Sequence, residues 1–168
     1  MSFEMLHFND SEQIFIKKNL TKDIQLTMEY VDETLDGRSY RGELLRQALS
    51  DMDWRNGDLN ILDGRRYYYK GMKKGLAIDG SFSSYEYLLT GLFRLQLGFD
   101  KGTVDAGILM LPSNRGEKSP YGTTAQIVTT EIKMINQSIT VPVCIALFEV
   151  KNLNIPTEDP EFSEKDPS

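Results

Sequence analysis

The chain holds one cysteine and one histidine in 168 residues. A lone Cys144 excludes an intrachain disulfide and suits a reducing compartment, so a cytoplasmic location is expected. Together with His7 it cannot build a zinc site of the usual nitrogen-and-sulfur kind. A metal would have to be a hard cation on carboxylates, such as Mg2+. No apolar run reaches the ~18 residues of a membrane-spanning helix, so no membrane partner is expected. The opening MSFEMLHFND lacks the basic and apolar stretches of a signal peptide. Gly-x-Gly-x-x-Gly, the P-loop, His-Glu-x-x-His and Gly-x-Ser-x-Gly are missing, and with them the usual dinucleotide, phosphate, zinc-protease and serine-hydrolase signatures. Positive charge is short as well. The net charge of −6 argues against nonspecific nucleic-acid binding.

What is present suits a soluble globular domain long enough to bury a core without staples. Residues 1–154 read as a single domain, and 155–168 as an acidic, Pro-bearing disordered tail. Charge is unevenly spread. From Lys151 onward five acids face two lysines, which is half of the net excess. Between Gly64 and Ile78 stand Arg65, Arg66, Lys70, Lys73 and Lys74, with no acid.

Periodicity gives an order of elements. Residues 9–35 lean to helix, and 39–52 is a clearer helix with Leu45, Ala48, Leu49 and Met52 on one face. Short β-rich runs follow at 59–62, 65–70 and 74–82, separated by Asp63-Gly64 and Gly71, and they predict an antiparallel meander. Ser84 is a candidate N-cap for a helix over 85–99, with Tyr85, Leu88, Leu89, Leu92, Leu95 and Phe99 as its apolar stripe. Phe93 and Leu97 widen that stripe, and Lys101-Gly102 closes the helix. Residues 103–112 and 141–150 read as strands buried on both faces, with a helix over 123–136 between them. The order is α-βββ-αβ-αβ. It predicts an α/β fold with a mixed central sheet flanked by helices.

Chemistry has few places to sit. Cys144 and His7 formally allow a nucleophile pair, but Cys144 lies mid-strand in PVCIALF and reads as a buried thiol. Asp79 is more pointed. In GLAIDGSFS an apolar strand ends on a carboxylate, then glycine and serine. A carboxylate at a strand end can hold Mg2+ for phosphodiester hydrolysis, although one carboxylate alone rarely suffices. It can equally bond backbone across Gly80–Ser84.

The ordered segments resemble the BglII and BamHI group of type II restriction endonucleases, within the PD-(D/E)XK nucleases. RGELLRQALSDMDWRNG (41–57), YYYKGMKKGLAIDGSFSSYEYLL (67–89), FRLQLGFDKGTVDAGILMLPSN (93–114), SPYGTTAQIVTTEIKMI (119–135) and VPVCIALFEV (141–150) follow that group's order. The resemblance implies a restriction-endonuclease-like sheet, Mg2+, double-stranded DNA and a homodimer. Asp79 stands for the family's first metal carboxylate, Glu43 for its supporting helix glutamate, and Ser81 where a second acid, amide or lysine belongs. The family's upstream Asp has no match in Tyr68-Tyr69-Lys70, and Asp63 is the nearest acid. Glu43 also reads as a solvated residue beside Arg46 and Gln47. Base readout would fall to Ser83, Ser84 and Tyr85 and to Ser113, Asn114 and Arg115. Phosphate contact would fall to Arg65, Arg66, Lys70, Lys73 and Lys74. Two readings stay open. One is a DNA-binding protein that cleaves with Mg2+ through Asp79, helped by Glu43. The other is a catalytically inactive nuclease fold that binds a protein partner, as a regulator or immunity partner would.

Overall fold

The two longest apolar runs become neighbouring central strands. In the computed structural model, which describes residues 2–39, 41–113 and 121–150, these are β4 (Ala106–Pro112) and β5 (Val143–Phe148). The other elements are β1 (Phe3–Phe8), α1 (Ser11–Lys17), α2 (Thr21–Leu35), α3 (Arg41–Asp51), β2 (Gly71–Lys73), β3 (Leu76–Gly80), α4 (Tyr87–Lys101) and α5 (Thr124–Met134). The five-stranded sheet has the order β1-β5-β4-β3-β2. β3, β4 and β5 run parallel, joined through α4 and α5, while β1 and β2 close the edges antiparallel.

Strand residues alternate between two cores because successive side chains leave a strand on opposite faces. Ile108, Met110, Cys144, Ala146 and Phe148 meet α1, α2 and α3 through Phe15, Met28, Val31, Leu45 and Leu49. Leu109, Leu111, Val143, Ile145 and Leu147 meet α4 and α5 through Leu88, Leu92, Leu95, Val128 and Ile132. All residues of β3, β4 and β5 are buried, as expected of parallel strands covered on both faces.

Several local expectations change. β1 is an additional strand, too short and mixed in polarity to show a clear period. It is held by register with β5, with Phe3 stacked on Phe148 at 5.1 Å between ring centres. The helical stretch expected over 9–35 is two helices, α1 and α2. The chain breaks between them at Asn19, whose φ of 56° is a left-handed conformation that asparagine tolerates. The strands expected at 59–62 and 65–70 do not form, and one isolated bridge joins Asn60 to Tyr68. Two backbone bonds flank that bridge, from the Ile61 amide to the Tyr67 carbonyl at 2.8 Å and from the Tyr69 amide to the Leu59 carbonyl at 2.9 Å, and side chains add to them. Arg55 donates to the Lys70 carbonyl at 2.7 Å, Asn60 to the Arg65 carbonyl at 2.8 Å and Lys101 to the Ile61 carbonyl at 2.8 Å. Of the third expected strand, 74–82, residues 76–80 form β3, while Lys74 and Gly75, with φ of 50° and 83°, are the type I′ turn that joins it to β2, a strand starting at the expected break, Gly71.

Ser84 caps no helix directly. Its hydroxyl accepts from the Glu86 amide at 3.1 Å, one turn before α4 begins. Leu89, expected in the buried stripe of α4, is exposed, as is Phe93. Gly102 ends α4 in the left-handed conformation, as expected. The helix expected at 123–136 is α5, and Thr123 and Gln126 build a capping box at its start. Asn114, Arg115 and the segment 155–168 lie outside the described residues.

Gly80 explains the glycine after Asp79. A Cβ there would lie 2.5 Å from the Met110 carbonyl oxygen and 2.9 Å from its amide nitrogen. Backbone atoms in a sheet cannot move aside, so Gly80→Ala should destabilise by about 1–3 kcal/mol, as overpacking does. Urea denaturation checks this, and an unchanged midpoint would contradict the close approach.

Candidate functional site

The strand period sends Asp79 and Ala77 to the face covered by α4. Asp79 is fully buried there. Tyr87 and Arg94 stand two turns apart on α4 and so share the face above it. The Arg94 Nε donates to Asp79 Oδ2 at 2.6 Å, and the Tyr87 hydroxyl donates to the same oxygen at 3.3 Å. A second Arg94 nitrogen donates to the Tyr68 carbonyl. The Tyr69 hydroxyl donates to the Arg94 carbonyl at 2.7 Å. The guanidinium thus ties α4 to β3 and to the segment before β2. Asp79 Oδ1 is buried with no hydrogen-bond partner among the described residues.

A carboxylate in an apolar core needs a positive charge beside it. Arg94 supplies one in charge-assisted geometry. Burial works against the Arg94 charge, but the Asp79 carboxylate beside it and the hydrogen bond between them outweigh burial and raise its pKa. Burial first, and the Asp79 charge second, push the Tyr69 phenol up to about 12. Tyr69 therefore stays neutral at pH 7 and keeps its proton for the Arg94 carbonyl.

The other candidate residues are dispersed. Ser81 is buried, and its hydroxyl accepts from the Ser83 amide at 3.2 Å. Glu43 is exposed on α3, whose buried side chains join the core on the opposite face of the sheet from Asp79. The structure does not bring the two together. Asp63 is exposed in its turn. Lys70 is buried. Lys73 donates to Asp23 at 2.7 Å and to the Met52 carbonyl at 2.9 Å, and lies 4.8 Å from the centre of the Trp54 ring. Arg65, Arg66 and Lys74 are exposed, as is Ser83. The Ser113 carbonyl accepts from the Thr124 hydroxyl. Strand pairing sets His7 opposite Cys144, but burial pushes the thiol up to about 12 and His7 turns its Nδ1 to the Ser11 hydroxyl at 2.7 Å. A neutral buried thiol is no nucleophile.

Arg94 was not singled out from sequence. Its signal is a lone arginine in the middle of a largely apolar helix, matched by a lone aspartate in an apolar strand. Two such charges are usually buried together or not at all.

The Mg2+ that the resemblance implies can be tested against this donor set. Magnesium takes several oxygen ligands in near-octahedral geometry. Among the described residues no group of three His, Cys, Asp or Glu side chains could hold a metal ion. Asp79 presents one unengaged oxygen, and a guanidinium sits on the other. The residues present do not fit the ion.

A mixed sheet with α1–α3 on one face and α4–α5 on the other defines a restriction-endonuclease-like fold. Two solved structures of the restriction endonuclease BglII share it. BglII complexed with a DNA 16-mer superposes with a TM-score of 0.63 at 15% identity, covering 90% of this chain and 78% of that one. Free BglII gives a TM-score of 0.58 at 17% identity, covering 90% and 81%. No family model and no curated protein matches the chain. At this identity the likeness establishes the fold.

Removing one partner of a buried ion pair leaves the other charge stranded. Arg94→Leu should therefore cost about 3–5 kcal/mol, and Asp79→Leu with Arg94→Leu should recover most of that loss. A double-mutant cycle by urea denaturation reads the coupling. Additive losses would show that the two side chains do not meet.

Proposed function

We propose that this chain is a double-stranded-DNA-binding protein built on the restriction-endonuclease fold. The observation that carries the reading is that fold, held over 90% of the chain and shared with a protein solved on a DNA 16-mer. The exposed Arg65 and Arg66 supply a local pair of cations on a chain of net charge −6, while Lys74, also exposed, stands in the turn that precedes β3. Contact with phosphates is then centred on that pair and depends steeply on salt. Lys70 and Lys73 contribute by shaping the segment behind it. On this reading Ser83, which follows β3, and Ser113, which follows β4, would approach base edges. Function as a homodimer follows the resemblance, and α4 offers a surface for it. Leu89 and Phe93 are exposed one turn apart, with Leu97 partly exposed on the next turn. No helix among the described residues is long and apolar enough to cross a membrane. A single reduced thiol fits the cytoplasm.

A protein partner is the second reading, favoured by that same apolar stripe on an acidic chain. Cleavage with Mg2+ through Asp79 and Glu43 is the part of the resemblance that the local geometry does not support.

Fluorescence anisotropy on duplexes of varied sequence tests the first reading. Binding should weaken as salt rises. Arg65→Glu with Arg66→Glu should weaken it further and flatten the slope of log affinity against log salt by about 0.9 per lost phosphate contact. No salt-dependent binding would overturn the reading, and salt-dependent binding indifferent to these reversals would show that the phosphate contacts lie elsewhere than Arg65 and Arg66.

A further inference from the structure

We infer that Arg94 holds the electrostatic place beside Asp79 that a divalent cation would otherwise take, so that this chain keeps bound duplex uncut. The consequence for DNA rests on the DNA-binding reading; the claim about the cation does not.

A buried strand-end carboxylate needs a counter-charge, and a fold can meet that need with a metal ion or with a side chain. Here the side chain is already in place. Arg94 Nε lies 2.6 Å from Asp79 Oδ2, and the Tyr87 hydroxyl shares that oxygen. The guanidinium is further fixed by the Tyr68 carbonyl, and its own backbone is held by the Tyr69 hydroxyl at 2.7 Å. To admit a metal, Arg94 would have to release these bonds and leave the pocket with its charge. A cation arriving there would find one free carboxylate oxygen, Asp79 Oδ1. Ser81, two residues on, has its hydroxyl turned to the Ser83 amide at 3.2 Å. Glu43 belongs to a helix packed on the other face of the sheet, and Asp63 is exposed in a turn. A hard cation needs several oxygens to replace its water. One oxygen beside a resident arginine does not meet that need.

The arginine also does something that a metal ion would not. It is covalently part of α4, so it locks that helix to β3 and to the segment 59–70 that carries Arg65 and Arg66. Charge neutralisation and rigid presentation of the cationic surface thus depend on the same guanidinium, and neither requires an ion from solution.

The experiment uses the whole chain without DNA. Mn2+ is titrated into the isotope-labelled protein, and paramagnetic broadening of backbone amides is mapped by NMR. The amides of Ala77 to Ser81 and of Arg94 should stay sharp at Mn2+ concentrations that broaden exposed acidic surface. The melting temperature in Mg2+ should equal that in EDTA. Broadening centred on Asp79 and Gly80 would overturn the inference, whatever happens with DNA. A second arm incubates supercoiled plasmid with the protein and Mg2+ or Mn2+. Intact plasmid is expected. Cleavage that disappears with Asp79→Asn would overturn the inference even if that variant were less stable, because purified folded wild type would have done the cutting. Failure of the anisotropy assay alone would remove the DNA consequence and leave the cation result standing.

Discussion

Asp79 is a fully buried carboxylate in a strand whose neighbours are apolar, and everything around the candidate site answers that one charge. An unpaired carboxylate in such a place would protonate or unfold the region around it. Arg94 prevents this from α4, and in doing so ties that helix to β3. The Tyr68 carbonyl is drawn in by the same guanidinium, and Tyr69 completes the ring of contacts from the other side. The segment 59–70 makes one β-bridge with a few backbone bonds around it, so side-chain anchors add to a pairing too short to be a ladder. The chemistry of the site and the shape of the cationic surface therefore have a common origin in one ion pair.

The rest of the fold makes this pair affordable. β4 and β5 are buried along their whole length, and each large aliphatic side chain removed from water contributes about 1.5–3 kcal/mol. Their alternation between two cores fixes the register, since a slip of one residue would exchange the faces. That register places Asp79 under α4 and not under α3. Glu43 and Asp79 are thus separated by the sheet itself.

Much of this architecture was legible in the residues. The long apolar strands at 103–112 and 141–150, with one helix before the first and another between the two, declared parallel αβ units, and the structure has them as α4, β4, α5 and β5. The likeness to BglII agrees with the fold read from the ordered segments. Two things were hidden. Strand β1 has too few residues and too mixed a polarity to show a period, and only its pairing with β5 makes it a strand. The runs at 59–62 and 65–70 have β-rich composition and do meet antiparallel, yet only through one bridge, with side-chain anchors from Arg55, Asn60 and Lys101 beside it. At the site, Asp79 stood out because a charge is rare in an apolar strand. Its partner did not, because Arg94 is distant in sequence and a single arginine on a helix is ordinary until the helix is known to be covered.

The central claim is that a guanidinium, and not a metal ion, neutralises Asp79 in the working protein. The Arg94 Nε proton reports on this directly by NMR, since a 2.6 Å bond to a carboxylate shifts it downfield and slows its exchange with water. In saturating Mg2+ with duplex DNA present, the account predicts that this resonance keeps its shifted position and slow exchange. Its return to the position and rapid exchange of a solvated arginine on adding Mg2+ would contradict the account.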